Sequence, residues 1–266
     1  VYVHFPFCDV RCPYCHFTCF VNKDPDLPDR WARAIVAEWR LHREQGRAET
    51  VASVYFGGGT PSALPAPARE TIARWLADEV VPLADDEVEI TVEANPESVR
   101  ADTLRPWIDS GANRISLGIQ SMDPEVLRFL GRLNTPRSNL RALDLACTLV
   151  ENVSADLIVG TPPDDRARLR NSIDAITAHP VSHVSAYLLE IHRTTRFGRD
   201  VAAGKWMPTP DDDQADLYLD MVDQLEGRGL AAYELSNFAL PHAHARHNAR
   251  YWSREPYLGL GPAAHS

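Results

Sequence analysis

Strand-like and helix-like segments alternate along the whole of this chain, and that alternation narrows the choice of fold more than any other feature. The strand-like runs are Tyr2–Phe5, Val51–Phe56, Val88–Glu93, Arg114–Ile119, Ser154–Val159 and Val181–Leu189. Between them, apolar residues recur at helical spacing: Ile72, Trp75 and Leu76; Leu140, Leu143, Cys147 and Val150; Leu169, Ile173 and Ile176; Tyr218, Met221, Val222 and Leu225. Such stripes face a core, and Cys147 reads as one of its small buried members. Six strand–helix alternations predict an α/β fold with a parallel sheet and its helices outside. A closed eight-fold barrel needs two more units, so six predict a partial barrel with an open side. Functional residues in such sheets gather at the carboxyl ends of the strands.

The 266 residues are 44% hydrophobic and 24% charged, ample for one sizeable core. The formal net charge is −10, and no Lys/Arg run appears. That argues against a nucleic-acid partner, although a local Arg could still receive an anion. No apolar run has transmembrane length, and no signal peptide is visible. Residues 193–213, rich in Thr, Arg, Pro, Gly and Asp, read as a long loop before a helix over 213–227. The stretch Gly259–Ser266 reads as loop. Val1 already lies in strand-like sequence, so we expect a piece of a longer protein, cut at both ends.

The chemistry begins after the first strand, where Cys8, Cys12 and Cys15 stand in C-x3-C-x2-C spacing. Three thiolates can hold a four-iron cluster and leave one iron without a protein ligand, and a vacant iron is a reaction site. Zinc is an alternative, with His4 or His16 as fourth ligand. Disulfides are another, but five cysteines in a chain of this length make no disulfide scaffold and leave one unpaired. Reduced cysteines point to the cytoplasm or an equivalent reducing compartment.

Other candidates follow the later strands. Gly57-Gly58-Gly59-Thr60-Pro61 would let the backbone approach a ligand closely, or serve only as a flexible turn. Glu93 could accept from ribose hydroxyls or an ammonium, or be a solvated loop acid. Gln120 can donate and accept. Arg132 offers a planar fork for carboxylates, unless it is a solvated helix-end charge. Asp156 sits in an apolar strand, where a charge is costly without a partner. His242, His244, His247 and His265 crowd the end of the chain. For His242 and His244 a solvated loop is the simpler reading, whereas His247, close to Tyr251 and Trp252, has aromatic company suited to a flat ligand.

Taken in order, these motifs resemble the radical S-adenosylmethionine (SAM) superfamily, whose signature is the cysteine triad with Tyr14 before its last member. Within it, Tyr2-Val3-His4-Phe5-Pro6-Phe7-Cys8, Gly57-Gly58-Gly59-Thr60-Pro61-Ser62, Glu93-Ala94-Asn95-Pro96, Arg114-Ile115-Ser116-Leu117-Gly118-Ile119-Gln120-Ser121 and Tyr233-Glu234-Leu235-Ser236-Asn237-Phe238-Ala239 resemble the branch holding oxygen-independent coproporphyrinogen III dehydrogenase and the HemW-type haem chaperones. The resemblance spans essentially the whole chain. It implies a three-quarter (β/α)6 barrel, a [4Fe-4S] cluster on Cys8, Cys12 and Cys15, and SAM on the open iron, cleaved to methionine and a 5′-deoxyadenosyl radical. By the same match, Tyr2, Gly58 and Glu93 contact that SAM. Tyr14, Gly59, Thr60, Gln120, Arg132 and Asp156 match positions that hold a second SAM in the dehydrogenase. A smaller C-terminal domain is expected beyond Ser266.

Two features divide the branch. The dehydrogenase pattern has a fourth cysteine two residues after the third, where this chain has Phe17; Cys19 stands two further on. His247-Asn248-Ala249-Arg250-Tyr251-Trp252 matches the HNxxYW motif of HemW-type chaperones. The resemblance therefore implies a protein that binds haem and delivers it to haem proteins, notably respiratory ones. Any membrane association would be peripheral, through those partners. His247 is then a candidate for handling haem. Ala245 and Asn134 depart from the pattern, which often has cysteine and histidine there. The alternatives are the dehydrogenase, which decarboxylates coproporphyrinogen propionates by radical chemistry, and a radical-SAM methyltransferase or cyclopropanase.

Overall fold

The computed structural model describes all 266 residues, which gather into two compact units. One holds Val1–Val10, Phe17–Ser116 and Ala245–Ser266; the other holds Arg11–His16 and Leu117–His244. No helix is long and apolar enough to cross a membrane.

In the first unit, the strands Gly259–Leu260, Tyr2–Phe5, Val51–Gly58 and Ala84–Ala94 lie side by side in that order, each pair parallel. Parallel neighbours need crossovers, and the helices Leu27–Glu44 and Ala66–Trp75 supply them. Trp31, Ile35 and Trp39 recur at i, i+4, i+8 on the longer helix and are buried against Val3, Phe5, Val54 and Phe56 of the strands. Trp39 meets Trp75 edge-to-face, ring centroids 5.7 Å apart. Each large apolar side chain so buried contributes about 1.5–3 kcal/mol. The expected loop at the chain's end contains a strand instead: Gly259 and Leu260 pair with Tyr2 and Val3. Two residues, one a glycine, are too short a strand to show periodicity.

In the second unit, Asn152–Val159 and His183–Leu188 are parallel, with Ser154 opposite His183, Asp156 opposite Ser185 and Ile158 opposite Tyr187. A short antiparallel strand, Asn237–Ala239, continues this sheet. Four of its helices start on side-chain caps: Asp123, Thr135, Asp165 and Thr195 each accept from an amide in the following first turn. The last of these caps corrects the expectation of a continuous loop over 193–213, because Arg196–Ala202 is helical. The helix expected over 213–227 runs from Asp211 to Glu226.

Another correction concerns Pro136–Leu149. Leu140 is exposed and Cys147 and Val150 are half-buried, while Asn139, Ala142, Leu143 and Ala146 face the core. The helix is turned because a polar residue points inward. The Asn139 amide donates to the Ser121 carbonyl at 3.0 Å and accepts from Asn134 at 2.7 Å. On Asp211–Glu226, likewise, Leu217 joins Met221 and Leu225 in the core, while Tyr218 and Val222 are half-buried.

Candidate functional site

The glycine turn closes the second long strand, Val51–Gly58, and its shape is forced by what surrounds it. Gly58 has φ +106°, and a Cβ there would stand 2.5 Å from the His4 ring. A Cβ on Gly57 would lie 2.7 Å from Tyr55 and 2.9 Å from Glu93, and one on Gly59 would collide with the Phe7 carbonyl. The Gly59 and Thr60 amides donate to the Phe5 and Phe7 carbonyls at 2.6 and 2.9 Å, tying the turn to the start of the cysteine segment. The Thr60 hydroxyl donates to Cys8 Sγ at 3.8 Å and accepts from the Asn95 amide at 2.8 Å.

Glu93 leaves its strand aimed at the same turn. Its Oε1 accepts from the Tyr55 hydroxyl at 2.8 Å and its Oε2 from the Gly58 amide at 3.1 Å. The Tyr2 ring stacks near Tyr55, centroids 6.2 Å apart. Burial first, and the Glu93 carboxylate second, push the Tyr2 phenol above its ordinary value. The first unit thus assembles Tyr2, Cys8, Gly58, Gly59, Thr60 and Glu93 around one wall of donors and acceptors.

His247 belongs to this wall. Its ring stacks on Tyr55 at 5.2 Å and lies 6.4 Å from Tyr2. It is 2% exposed. Nδ1 meets the Ser53 hydroxyl at 2.9 Å and Nε2 the Tyr251 hydroxyl at 3.0 Å. Buried Glu89 accepts from the Arg246 and His247 amides at 2.9 and 3.0 Å, pinning the helix Arg246–Trp252. Burial foremost, then the positive charges of the Val1 ammonium, Arg250 and Arg114, depresses the His247 pKa to about 3, so the ring is neutral. His247, the candidate for handling haem, has both ring nitrogens engaged, and the exposed members of the motif are Tyr251 and Trp252.

The second unit arranges the other candidates. Cys15 N donates to the Cys12 carbonyl at 3.1 Å in a turn. Arg132 donates to Cys12 Sγ at 3.8 Å, to the Gly118 carbonyl at 2.9 Å and to Asn134 Oδ1 at 3.0 Å. Burial pushes the Tyr14 phenol well above its usual value, against the pull of Arg132. Gln120 ends its strand in the left-handed region, φ 65°. Asp156 is half-buried at the centre of its strand, opposite Ser185.

Several participants escaped sequence reasoning. His4, read only as a zinc ligand, is buried with Nδ1 3.1 Å from the Tyr2 hydroxyl and Nε2 2.7 Å from the Thr18 carbonyl, so it keeps no nitrogen for a metal. Ser53, Tyr55 and Glu89 share a half-polar strand pattern that marked none of them as special. None of the five cysteines is in a disulfide; Cys8, Cys12 and Cys15 are half-buried and Cys19 is buried. No three His, Cys, Asp or Glu side chains converge on a point suited to a single metal ion. A four-iron cluster takes its thiolates on separate irons, and hydrogen bonds to the sulfurs, of the kind Thr60 makes to Cys8, are among the groups that tune it. The donor set fits such a cluster.

The Radical SAM superfamily model matches residues 2–176. "Heme chaperone HemW" of Mycobacterium tuberculosis is 39% identical over 269 residues, covering 100% of this chain and 68% of that protein. The Escherichia coli protein of the same name is 34% identical, covering 100% of this chain and 69% of its own length. Coproporphyrinogen III oxidase (HemN) from Escherichia coli, a radical SAM enzyme of known structure, superposes with a TM-score of 0.82 at 22% identity, over 99% of this chain and 63% of that one. The chain belongs to the radical SAM superfamily and, within it, to the HemW-type branch, with the α/β partial-barrel fold of that superfamily.

Proposed function

We propose that this chain is the core of a haem chaperone, which binds a [4Fe-4S] cluster and SAM and passes haem to haem proteins, respiratory ones among them, in a reducing cytoplasm. The observation that carries the reading is the stacking of His247 on Tyr55, whose hydroxyl donates to Glu93. It joins the HNxxYW motif to the residues that would grip SAM. The names of the HemW relatives support the haem cargo.

In this reading Cys8, Cys12 and Cys15 ligate the cluster. Cluster and SAM, when bound, supply one-electron chemistry that no side chain can perform. The chain's own groups bind and orient. Glu93 offers carboxylate oxygens already fixed by Tyr55 and Gly58, so accepting from an ammonium would cost little reordering. Tyr2 and Gly58 complete that contact. Tyr14, Gly59, Thr60, Gln120, Arg132 and Asp156 are the groups for a second SAM. His247 is the post on which the motif's exposed aromatic rings, Tyr251 and Trp252, stand.

The test uses the full-length protein carrying this chain, with its cluster loaded. Haem is titrated while the Soret band is followed, and a second sample receives SAM, a reductant and coproporphyrinogen III. We expect saturable haem binding and no protoporphyrinogen. Protoporphyrinogen formation would replace the chaperone reading with the dehydrogenase one, and absence of haem binding would remove it outright.

A further inference from the structure

We propose that the haem iron is taken by His192, with His16 holding its ring and with Arg193 and Arg196 receiving the propionates. This rests on the haem-chaperone reading above. The starting point is that His247 cannot offer a lone pair without giving up Ser53 or Tyr251 and leaving a 2%-exposed position. An axial ligand for a cargo that must arrive and leave should instead be an accessible imidazole on a fixed backbone, and imidazole is a common protein ligand of haem iron.

His192 meets that description. It is exposed, and its ring nitrogens make no hydrogen bond. Its ring lies against His16, centroids 4.8 Å apart and planes 18° from parallel. Its backbone is locked: the His192 carbonyl accepts from the Thr195 amide at 3.0 Å and the Thr195 hydroxyl at 2.7 Å. Gly198 packs so closely on that carbonyl that any Cβ there would collide with it. The helix Arg196–Ala202 begins on the same Thr195 cap. His192 therefore stands on a rigid corner, while its imidazole faces solvent.

The neighbouring charges suit the rest of the ligand. Haem carries two propionate carboxylates, and an Arg fork matches a carboxylate in shape and charge. Arg193 is exposed and in no ion pair. Arg196 is held only by Asp200 at 3.5 Å, with its side chain 74% exposed. Tyr187, 45% exposed at the end of the preceding strand, offers an aromatic face nearby in sequence. His16 directly follows Cys15, so a haem held here would report on the order of the cysteine loop. That link gives cluster and cargo a physical reason to share one protein.

The experiment titrates haem into the cluster-loaded full-length protein and its variants His192→Ala, His16→Ala, Arg193→Ala/Arg196→Ala and His247→Gln, with circular dichroism to confirm folding. We expect His192→Ala to shift the Soret band and weaken binding by about tenfold or more, equivalent to about 1.4 kcal/mol. Added imidazole should restore the band position. His16→Ala should weaken binding by a smaller factor with the band in place, and the double arginine variant should do the same and flatten the salt dependence. Wild-type affinity and spectrum in His192→Ala would overturn this assignment alone. So would a band lost in folded His247→Gln but kept in His192→Ala. Failure of the wild-type protein to bind haem would instead overturn the chaperone reading on which the assignment rests.

Discussion

The imidazole of His247 stacks on the ring of Tyr55 with centroids 5.2 Å apart and planes 27° from parallel, across nearly two hundred residues of chain. Tyr55 passes that contact to Glu93 through a 2.8 Å hydrogen bond. A motif near the end of the chain thereby buttresses a carboxylate at the end of the third long strand. The pairing is aromatic on one side and hydrogen-bonded on the other, so it fixes both the position and the acceptor direction of Glu93.

Replacing Glu93 with Gln tests that arrangement most directly. The amide can keep its oxygen toward Tyr55 but must then turn its NH2 toward the Gly58 amide, setting donor against donor. An unmade hydrogen bond of this kind costs about 1–3 kcal/mol. SAM affinity, measured by calorimetry on the cluster-loaded protein, should fall by roughly tenfold or more. Affinity equal to wild type would mean that Glu93 supports the turn without touching SAM.

His247 should make stability depend on pH. Its pKa falls from 6.5 to about 3 on folding, chiefly because burial disfavours the charged ring. Between those values the unfolded chain binds a proton that the folded one refuses. The contribution is therefore complete above pH 6.5 and is lost as the pH falls toward 3, with a slope of up to about 1.4 kcal/mol per pH unit. Urea denaturation from pH 7 to pH 4 should show this slope in the wild type. In His247→Phe the slope should shrink while a constant loss remains from the unpartnered Ser53 and Tyr251 hydroxyls. An unchanged slope would place the titrating group elsewhere.

The long strands were legible because each is a run of β-branched and apolar residues bounded by turn chemistry; Tyr2–Phe5 was read to its limits. The cysteine triad and the glycine turn were legible because few other roles require those residues at that spacing. What escaped reading has a common physical origin: polar side chains that fold inward. Asn139 turns its helix by bonding carbonyls that no hydropathy pattern displays. His4 and His247 looked like ligands because histidine can be one, yet each spends both nitrogens on neighbours fixed only in three dimensions. Thr195 hid a helix inside an apparent loop because a cap and seven residues leave almost no period to detect.

Gly58→Ala should be among the most damaging single-atom changes. At φ +106° an L-residue is strained, and the new Cβ would lie 2.5 Å from the His4 ring. That ring cannot swing aside without breaking its bonds to Tyr2 and the Thr18 carbonyl. Strain and overpacking together should cost about 2–4 kcal/mol, visible as a lower denaturation midpoint. Cluster loading should fall with it, since the following amides hold the Phe5 and Phe7 carbonyls. Gly46→Ala, where φ is +70° but no atom lies within 4 Å of the new Cβ, separates the two effects: it should carry the backbone strain alone and cost about 1 kcal/mol.

Cysteine variants distinguish the ligands from their neighbour. Cys8, Cys12 and Cys15 are half-buried thiols, with Thr60 donating to Cys8 and Arg132 to Cys12. Cys19 is 4% exposed, and its backbone is tied down by a 2.9 Å bond from its amide to the Phe17 carbonyl. Cys12→Ala should therefore abolish the brown absorbance of the anaerobically reconstituted protein. Cys19→Ala should keep it and lose only the packing of one small buried group, about 1 kcal/mol. Iron and sulfide analysis alongside electron paramagnetic resonance reads both outcomes. A four-iron signal surviving in Cys12→Ala would remove that thiolate from the ligand set. Loss of the signal in a folded Cys19→Ala would add a fourth thiolate and close the iron on which SAM is expected to bind.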